Sequence, residues 1–365
     1  MLYSGCERSR KMKGKKKINI LMCGSDLNVR GGIISVVKNY LSYERWNDYN
    51  ICYIPTHIEK NKFVVALYFL QAYFRILFTA LRGDFEIAYF HTAERGSFFR
   101  KAILVRTLKR LGLKTIMHHH AAEFDEFYES LSEKKKHYVI DTLEKVDLNI
   151  VLSNRLIRMI TDKAPSARVK VLYNAVPTYE VNPYNANARN ILFLGRLGKR
   201  KGVYDLLDVI KSLDDKLPQD VRFYLCGDGD IENVRKMVCE YEIQHRIVYI
   251  GWVDKEQKNK YIADSMINVL PSYNEGLPMS ILETMANGIP NISTNIASIP
   301  EVISEGKNGF MITPGDTEAL ADKILMLVND NTLRLNMSQQ AWSDITTKFS
   351  LDAHIAKLKS FFSEI

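Results

Sequence analysis

The sequence predicts an α/β protein made of two doubly wound, Rossmann-like domains in tandem. Three observations lead there. Short apolar runs alternate with longer stretches of helical period, the alternation pauses once at a Pro- and Asn-rich stretch, and 365 residues suit two domains better than one. With 46% hydrophobic and 25% charged residues the composition is globular, so each half has enough apolar side chains to build a core.

The elements follow in order. "INILMCG" (18–24) reads as a buried strand, and "GGIISVVKNYL" (31–41) as a helix with Ile33, Ile34, Val37 and Leu41 at helical spacing. "NICYIPT", "FEIAYFH", "KTIMHH" and "DLNIVLS" are further strands separated by helical stretches, which implies a parallel sheet covered on both faces. At "VPTYEVNPYNANARN" (176–190) periodicity is lost, and two prolines and four asparagines mark a linker. The rhythm restarts with "ILFLGR", "VRFYLCG", "IVYIGW", "INVLPS" and "NISTN", and "HIAKLKSFFSEI" closes the chain as an amphipathic helix. The expected organisation is a basic tail over 1–17, a first domain over 18–180, a linker over 181–190, a second domain over 191–345 and a closing helix over 346–365. Ligands of such sheets sit beyond the carboxyl ends of the strands, and the cleft between two such domains is the expected place for a site.

Charge is unevenly spread. Residues 1–180 hold 30 Lys and Arg against 18 Asp and Glu, a net of +12, whereas 181–365 hold 20 against 24, a net of −4, giving the overall +8. The run "RSRKMKGKKK" (8–17) is read as a solvated tail, an anchor to anionic lipid or a nucleic-acid arm, in that order, since no basic motif interleaved with aromatics accompanies it. No signal peptide is visible. "FVVALYFLQAYFRILFTAL" (63–81) is apolar, but Gln71 and Arg75 near its middle favour a buried or interfacial helix over a membrane span. The five cysteines are scattered without a CxxC, which suits a reducing compartment and argues against a disulfide scaffold or a zinc knuckle.

The most informative stretch is "PSYNEGLPMSILETMANG" (271–288). Glu275 lies in the loop beyond a strand. Pro278 suits the first position of a helix carrying Met279, Leu282, Met285 and Ala286 as its apolar stripe, and Asn287-Gly288 ends it. Glu283 falls about a turn and a half into that helix. Between the two carboxylates lies a helix N-terminus, an anion site, and Gly276 lets the backbone approach a ligand closely. Two carboxylates flanking a phosphate site suit a ligand with hydroxyls on both sides of its phosphates, as in a nucleotide sugar. The bland alternative is two surface glutamates. A glycoside hydrolase would place its pair across one bond and leave the phosphate site unexplained.

Other candidates gather at strand ends. Arg196 and Lys201 in "GRLGKRKGVYDLL" (195–207) are two cations able to hold a diphosphate, or else ordinary surface bases. Gly31-Gly32 reads as a backbone loop near phosphates or as a simple turn. His91 ends one strand. In "MHHHAAEFDEFY" (117–128), His118 and His120 share a face, with Asp125 or Glu123 as a conceivable third metal ligand, but His120 as a polar side chain lining the cleft is preferred and no metal is expected. Neither GxGxxG nor GxxxxGK[ST] occurs, so nicotinamide and ATPase readings lack their motifs.

These residues together resemble the retaining GT-B glycosyltransferases of glycosyltransferase family 4, also called group 1. The likeness covers nearly the whole chain from about residue 18 and is strongest at "EGLPMSILETMANGIP", which matches an E-x7-E signature at Glu275 and Glu283. "GRL…KG" at Arg196 and Lys201, "VLYNAVP" around Asn174 and "EGKNGFMITPGD" (305–316) also match. "HHHAAEFDEFY" and "HTAERGSFFRK" look like the versions in bacterial surface-polysaccharide transferases. "IASIPEVI" departs from the family, which often has a glycine pair before IPE, and the three adjacent histidines leave the histidine assignment uncertain by a position.

The resemblance implies roles. Glu275 would contact hydroxyls of the donor hexose beside the reacting carbon, and Glu283 would hold the ribose. Arg196 and Lys201 would grip the diphosphate with backbone groups around Leu277 and Pro278. Gly31 and Gly32 would close on the donor, and His120 would stand beside the donor sugar. The expected activity is retaining, metal-independent hexose transfer from a UDP- or GDP-linked sugar to a growing, lipid-linked surface glycan. No cofactor and no nucleic acid are expected, and the expected location is the cytoplasm, peripheral on the inner face of the plasma membrane. A nucleotide-sugar 2-epimerase on the same fold and an inactive nucleotide-sugar-binding scaffold are the competing readings. Base choice is expected to depend on backbone near Gly227 and Val253.

Overall fold

A computed structural model describes residues 17–29, 31–121 and 123–365. Nearly all of the basic run at 8–17 therefore lies outside the described residues. The chain divides into two compact units. The first runs to Asn174 and adds His354–Ile365, and the second is Ala175–Ala353.

The first unit holds one six-stranded sheet: β1 (Ile18–Gly24), β2 (Tyr49–Pro55), β3 (Ile87–Thr92), β4 (Lys114–His119), β5 (Leu148–Val151) and β6 (Val169–Val171). The order is β2-β1-β3-β4-β5-β6, and every pairing is parallel. Helices cover both faces, so the strands read as unbroken apolar runs. Ile20, Leu21, Met22 and Cys23 of β1 are wholly buried. Short β6, "VKV", is too brief to show a period and was not expected.

The second unit holds β7 (Asn190–Leu194), β8 (Arg222–Cys226), β9 (Ile247–Gly251), β10 (Ser265–Leu270), β11 (Asn291–Thr294) and β12 (Gly309–Ile312) in the order β12-β11-β10-β7-β8-β9, again parallel throughout. Counted from its own first strand this is 3-2-1-4-5-6 read from the far edge, the doubly wound order of dinucleotide-binding folds. The stretch 176–189 contains no helix or strand, as its Pro and Asn content implies.

Three details differ from expectation. The second unit begins at Ala175 rather than at 191. Val176 pairs with Ser350, so the stretch expected to be a linker starts inside the unit. The closing helix is Leu351–Ser363, and from His354 on it belongs to the first unit, where His354 bonds the Tyr40 hydroxyl and Phe362 meets the Tyr49 ring. Among the described cysteines, Cys23, Cys226 and Cys239 are free thiols, whereas Cys52 is disulfide-bonded, a pairing the spacing did not suggest.

The long apolar helix is Lys62–Arg82. Asn61 caps it by accepting from the Val64 N–H. Its buried line is narrow and small: Ala72, Ile76 and Ala80, spaced four apart, face the first unit's core. Phe63, Leu67, Leu70, Phe74, Phe78 and Leu81 are exposed. By length and composition the helix is able to cross a membrane. It is not the buried helix that was one of the two expectations.

Candidate active site

In the second unit the strand order reverses between β7 and β10. At such a switch point the two flanking loops leave in opposite directions and open a crevice at the carboxyl ends of the strands. The loop after β7 carries Arg196 and Lys201, and the loop after β10 carries Glu275. The fold thus brings together residues some 75 positions apart for a topological reason.

A glycine sets their spacing. Gly202 has φ 71°, and a Cβ there would lie 2.0 Å from the Pro271 carbonyl oxygen. Only glycine permits both the left-handed backbone and this approach of one loop to the other. The Tyr273 N–H donates to the Arg200 carbonyl at 2.9 Å and ties the same two loops. Lys201 Nζ then donates to Glu275 Oε1, and the Ser272 hydroxyl donates to the same oxygen at 2.7 Å. The pair is secluded, with side-chain exposures of 14% for Lys201 and 5% for Glu275. Arg196 is exposed and lies 3.8 Å from Asp228. It remains available to an incoming anion.

The helix after this loop is Met279–Ala286. Pro278, expected as its first residue, is instead its cap, with φ −69° and ψ 123°. The difference is one residue and follows from the extended ψ. Gly276, Leu277 and Pro278 are buried beside Glu275. Gly276 does not have a positive φ, so no left-handed turn requires glycine there. The first N–H groups of the helix have no partner within it and point back at this loop. Glu283, half-buried, accepts from Lys258 Nζ at 2.8 Å. Asn287 and Gly288 end the helix, the latter with φ 68°.

The first unit collects histidines. On β4 successive side chains alternate faces. His118 and His120 lie together, their ring centroids 4.2 Å apart, while His119 turns to Asn149 at 3.0 Å. His91 on β3 completes the group, its Nδ1 3.0 Å from His120 Nε2. The third neighbour of His118 and His120 is therefore His91. Glu123 is held by Arg95 and Asp125 by Lys163, so neither joins them. His91 lies near the end of β3, as its place in the sequence implies, and its side chain is buried inside the sheet.

Burial keeps these imidazoles neutral. It lowers His120 to about 3 and His119 to about 4, and it drives His91 and His118 well below their ordinary value, with neighbouring histidines adding to the effect. The Tyr89 hydroxyl and His118 Nδ1 share a 2.7 Å hydrogen bond. One ring nitrogen from each of His91, His118 and His120 lies within 4.8 Å of the others, so among the described residues these three are able to share a metal ion.

Gly31 and Gly32 stand at the exposed start of the helix Gly32–Ser42. Gly31 has φ 133°, and nothing lies within 4 Å of where its Cβ would be. Asn174 is the buried last residue before the second unit. Gly227 packs so closely on the Gly195 carbonyl that a Cβ would stand 1.8 Å from its oxygen. Ser272, Asp228 and Lys258 were not anticipated. The first follows Pro271, the residue just past β10, and nothing in the local sequence marks the other two.

Residues 180–344 match the family described as glycosyl transferases, group 1. The match lies within the second unit and covers 165 of the 365 residues. An uncharacterised 41.2 kDa protein of the cps region of Klebsiella pneumoniae is 25% identical over 84% of this chain and 88% of its own length. A lipopolysaccharide core biosynthesis glycosyltransferase of Rhizobium meliloti is 30% identical over 46% of this chain and 48% of its own. The fold is similar to that of Anabaena Alr3699/HepE, solved with UDP and glucose, with a TM-score of 0.75 over 95% of this chain and all of that one, at 16% identity. The two sheets and their order are those of the GT-B fold. By this match and the relatives named as glycosyltransferases, the chain is an enzyme, a glycosyltransferase.

Proposed function

We propose that this glycosyltransferase moves a hexose from a nucleotide diphosphate sugar to a growing, lipid-linked surface glycan, retaining the anomeric configuration and using no metal. The observation that carries the reading is the Lys201–Glu275 pair at the second unit's switch point, beside Arg196 and the start of the helix Met279–Ala286. A diphosphate arriving there meets two cations and a helix N-terminus. Lys201 turns from Glu275 to the phosphates, and Glu275 is left to accept hydrogen bonds from hexose hydroxyls. Glu283 receives the ribose hydroxyls from the next turns of the same helix.

The chemistry follows from that placement. As the sugar–phosphate bond breaks, negative charge grows on the leaving diphosphate, and Arg196 stabilises it together with Lys201, which has turned to the phosphates on binding. The acceptor hydroxyl attacks from the face the diphosphate leaves, and its proton passes to the departing phosphate. This route assigns His120 to the sugar's surroundings and gives it no proton to carry, which suits an imidazole held neutral. The names of the relatives, a lipopolysaccharide core enzyme among them, support a surface glycan as acceptor.

The same reading places the protein at the cytoplasmic face of a membrane. The helix Lys62–Arg82 is held to its own domain by Ala72, Ile76 and Ala80, and it turns six large apolar side chains outward. Arg82 lies over the Phe78 ring at 3.6 Å, an arrangement suited to a headgroup boundary. The decisive test is calorimetric titration with UDP and GDP in EDTA. Binding of one of them, weakened about tenfold or more in Arg196→Ala, supports the reading, and no heat with either would overturn it.

A further inference from the structure

The first sheet has its own switch point, between β1 and β3. A cavity of about 340 Å³ opens there, lined by Ser25 and Ile33 after β1, His57 after β2, and Ser97 and Arg100 at the start of the helix Gly96–Arg110. None of these residues has a role in the donor reading.

The cavity is built for negative charge. Arg100 has no ion-pair partner among the described residues, and its Nε is buried without a hydrogen-bond acceptor. Its guanidinium folds back over the helix start, where a Cβ on Gly96 would meet Nη1 at 3.2 Å. The Ser97 hydroxyl accepts from the Ala93 N–H at 3.2 Å, which leaves its own proton free to donate. Behind them Lys101 is 1% exposed and has no carboxylate partner among the described residues. Burial, then the Arg100 charge, lowers it to about 7. His57 is lowered to about 4 by burial, then by Arg100 and Lys101, so both cations make themselves felt at the cavity wall. An unpaired arginine beside a buried lysine is costly unless an anion completes the set.

We propose that this cavity is an anion subsite of the first domain that holds a phosphoryl group carried by the acceptor, so that the acceptor is a phosphorylated sugar or polyol unit. This rests on the glycosyltransferase reading above. Arg100 and Ser97 donate to the phosphate oxygens, Lys101 supplies the field behind them, and His57 stays neutral as a further hydrogen-bonding wall.

The test is calorimetric titration of the full chain with inorganic phosphate, glucose 1-phosphate and glucuronate, each with UDP saturating so that the donor's phosphate site is occupied. Wild type is compared with Arg100→Gln and Ser97→Ala. Both phosphates are expected to bind wild type, at least tenfold more weakly in Arg100→Gln and several-fold more weakly in Ser97→Ala, with UDP affinity unchanged. Equal phosphate affinity in all three proteins overturns the subsite, and binding of glucuronate but not phosphate overturns the phosphoryl assignment. If Arg100→Gln does not fold, Ser97→Ala alone decides. A wild type that binds phosphate through Arg100 but does not bind UDP would sink the donor reading and leave the subsite standing.

Discussion

Lys201 donates to Glu275 across the second sheet's switch point, and Ser272 donates to the same carboxylate oxygen. The contact joins the loop after β7 to the loop after β10, and in the proposed reading this one ion pair holds both the cation for a diphosphate and the carboxylate for a sugar. Removing one partner leaves the other charge buried. Lys201→Met is expected to destabilise the second unit by about 3–5 kcal/mol, and Lys201→Met with Glu275→Leu by less than the sum of the single changes. Urea unfolding of the four proteins measures this, and strict additivity would show that the pair is not coupled.

Glu283 is held by Lys258 and assigned to the ribose. Glu283→Ala is expected to raise the Kd for the nucleoside diphosphate about tenfold or more, the worth of a hydrogen bond to a charged group, while turnover at saturating donor falls little. A variant that lost turnover but kept its Kd would place Glu283 at the reacting carbon instead.

The buried imidazoles make the first unit sensitive to acid. His119 titrates near 4 when folded because burial penalises its charge, and near 6.5 in the unfolded chain. Between these values the unfolded chain binds the extra proton, so stability is complete above about pH 6.5 and falls as pH drops toward 4. His57 and His354 share that window. His119→Gln removes one proton from the linkage and flattens the slope by up to about 1.4 kcal/mol per pH unit. Denaturant unfolding at pH 4.5, 5.5 and 6.5 gives the slopes, and parallel curves for the two proteins would contradict the assignment.

The exposed stripe on Lys62–Arg82 predicts membrane binding through two aromatic side chains. Phe74→Glu with Phe78→Glu is expected to abolish co-sedimentation with anionic lipid vesicles and leave the melting temperature within about 2 °C, since both side chains are exposed. Undiminished sedimentation would assign the attachment elsewhere.

The doubly wound class was legible because ten of the twelve strands among the described residues stand as short runs between helical periods. Of the two that escaped, β6 has three residues, too few to show a period, whereas β12 has four, as do β5 and β11, which were legible. Glu275, Glu283, Arg196 and Lys201 were legible from their places at strand ends. Their pairing was not, because it depends on strand order, which no local pattern encodes, and on Gly202 meeting Pro271. The burial of His91 was not legible for the same reason: "EIAYFH" shows where the strand ends, but only the register of β3 on β4 puts His91 against His118 and buries it. The run "RGSFFRK" carries Arg100 and Lys101 three and four residues after Ser97, a spacing that puts them on one helix face. It was read only for its likeness to other transferases, since burial is what separates this lysine from a solvated one.

The central claim is that the switch-point pair serves a donor diphosphate. The most direct measurement is release of nucleoside diphosphate from UDP-glucose, UDP-galactose, UDP-GlcNAc and GDP-mannose in EDTA, with and without membrane lipid extract, for wild type, Lys201→Ala and Glu275→Ala. The account predicts release from one donor, stimulated by the extract and lost in both variants. Release that persists undiminished in Lys201→Ala would contradict it.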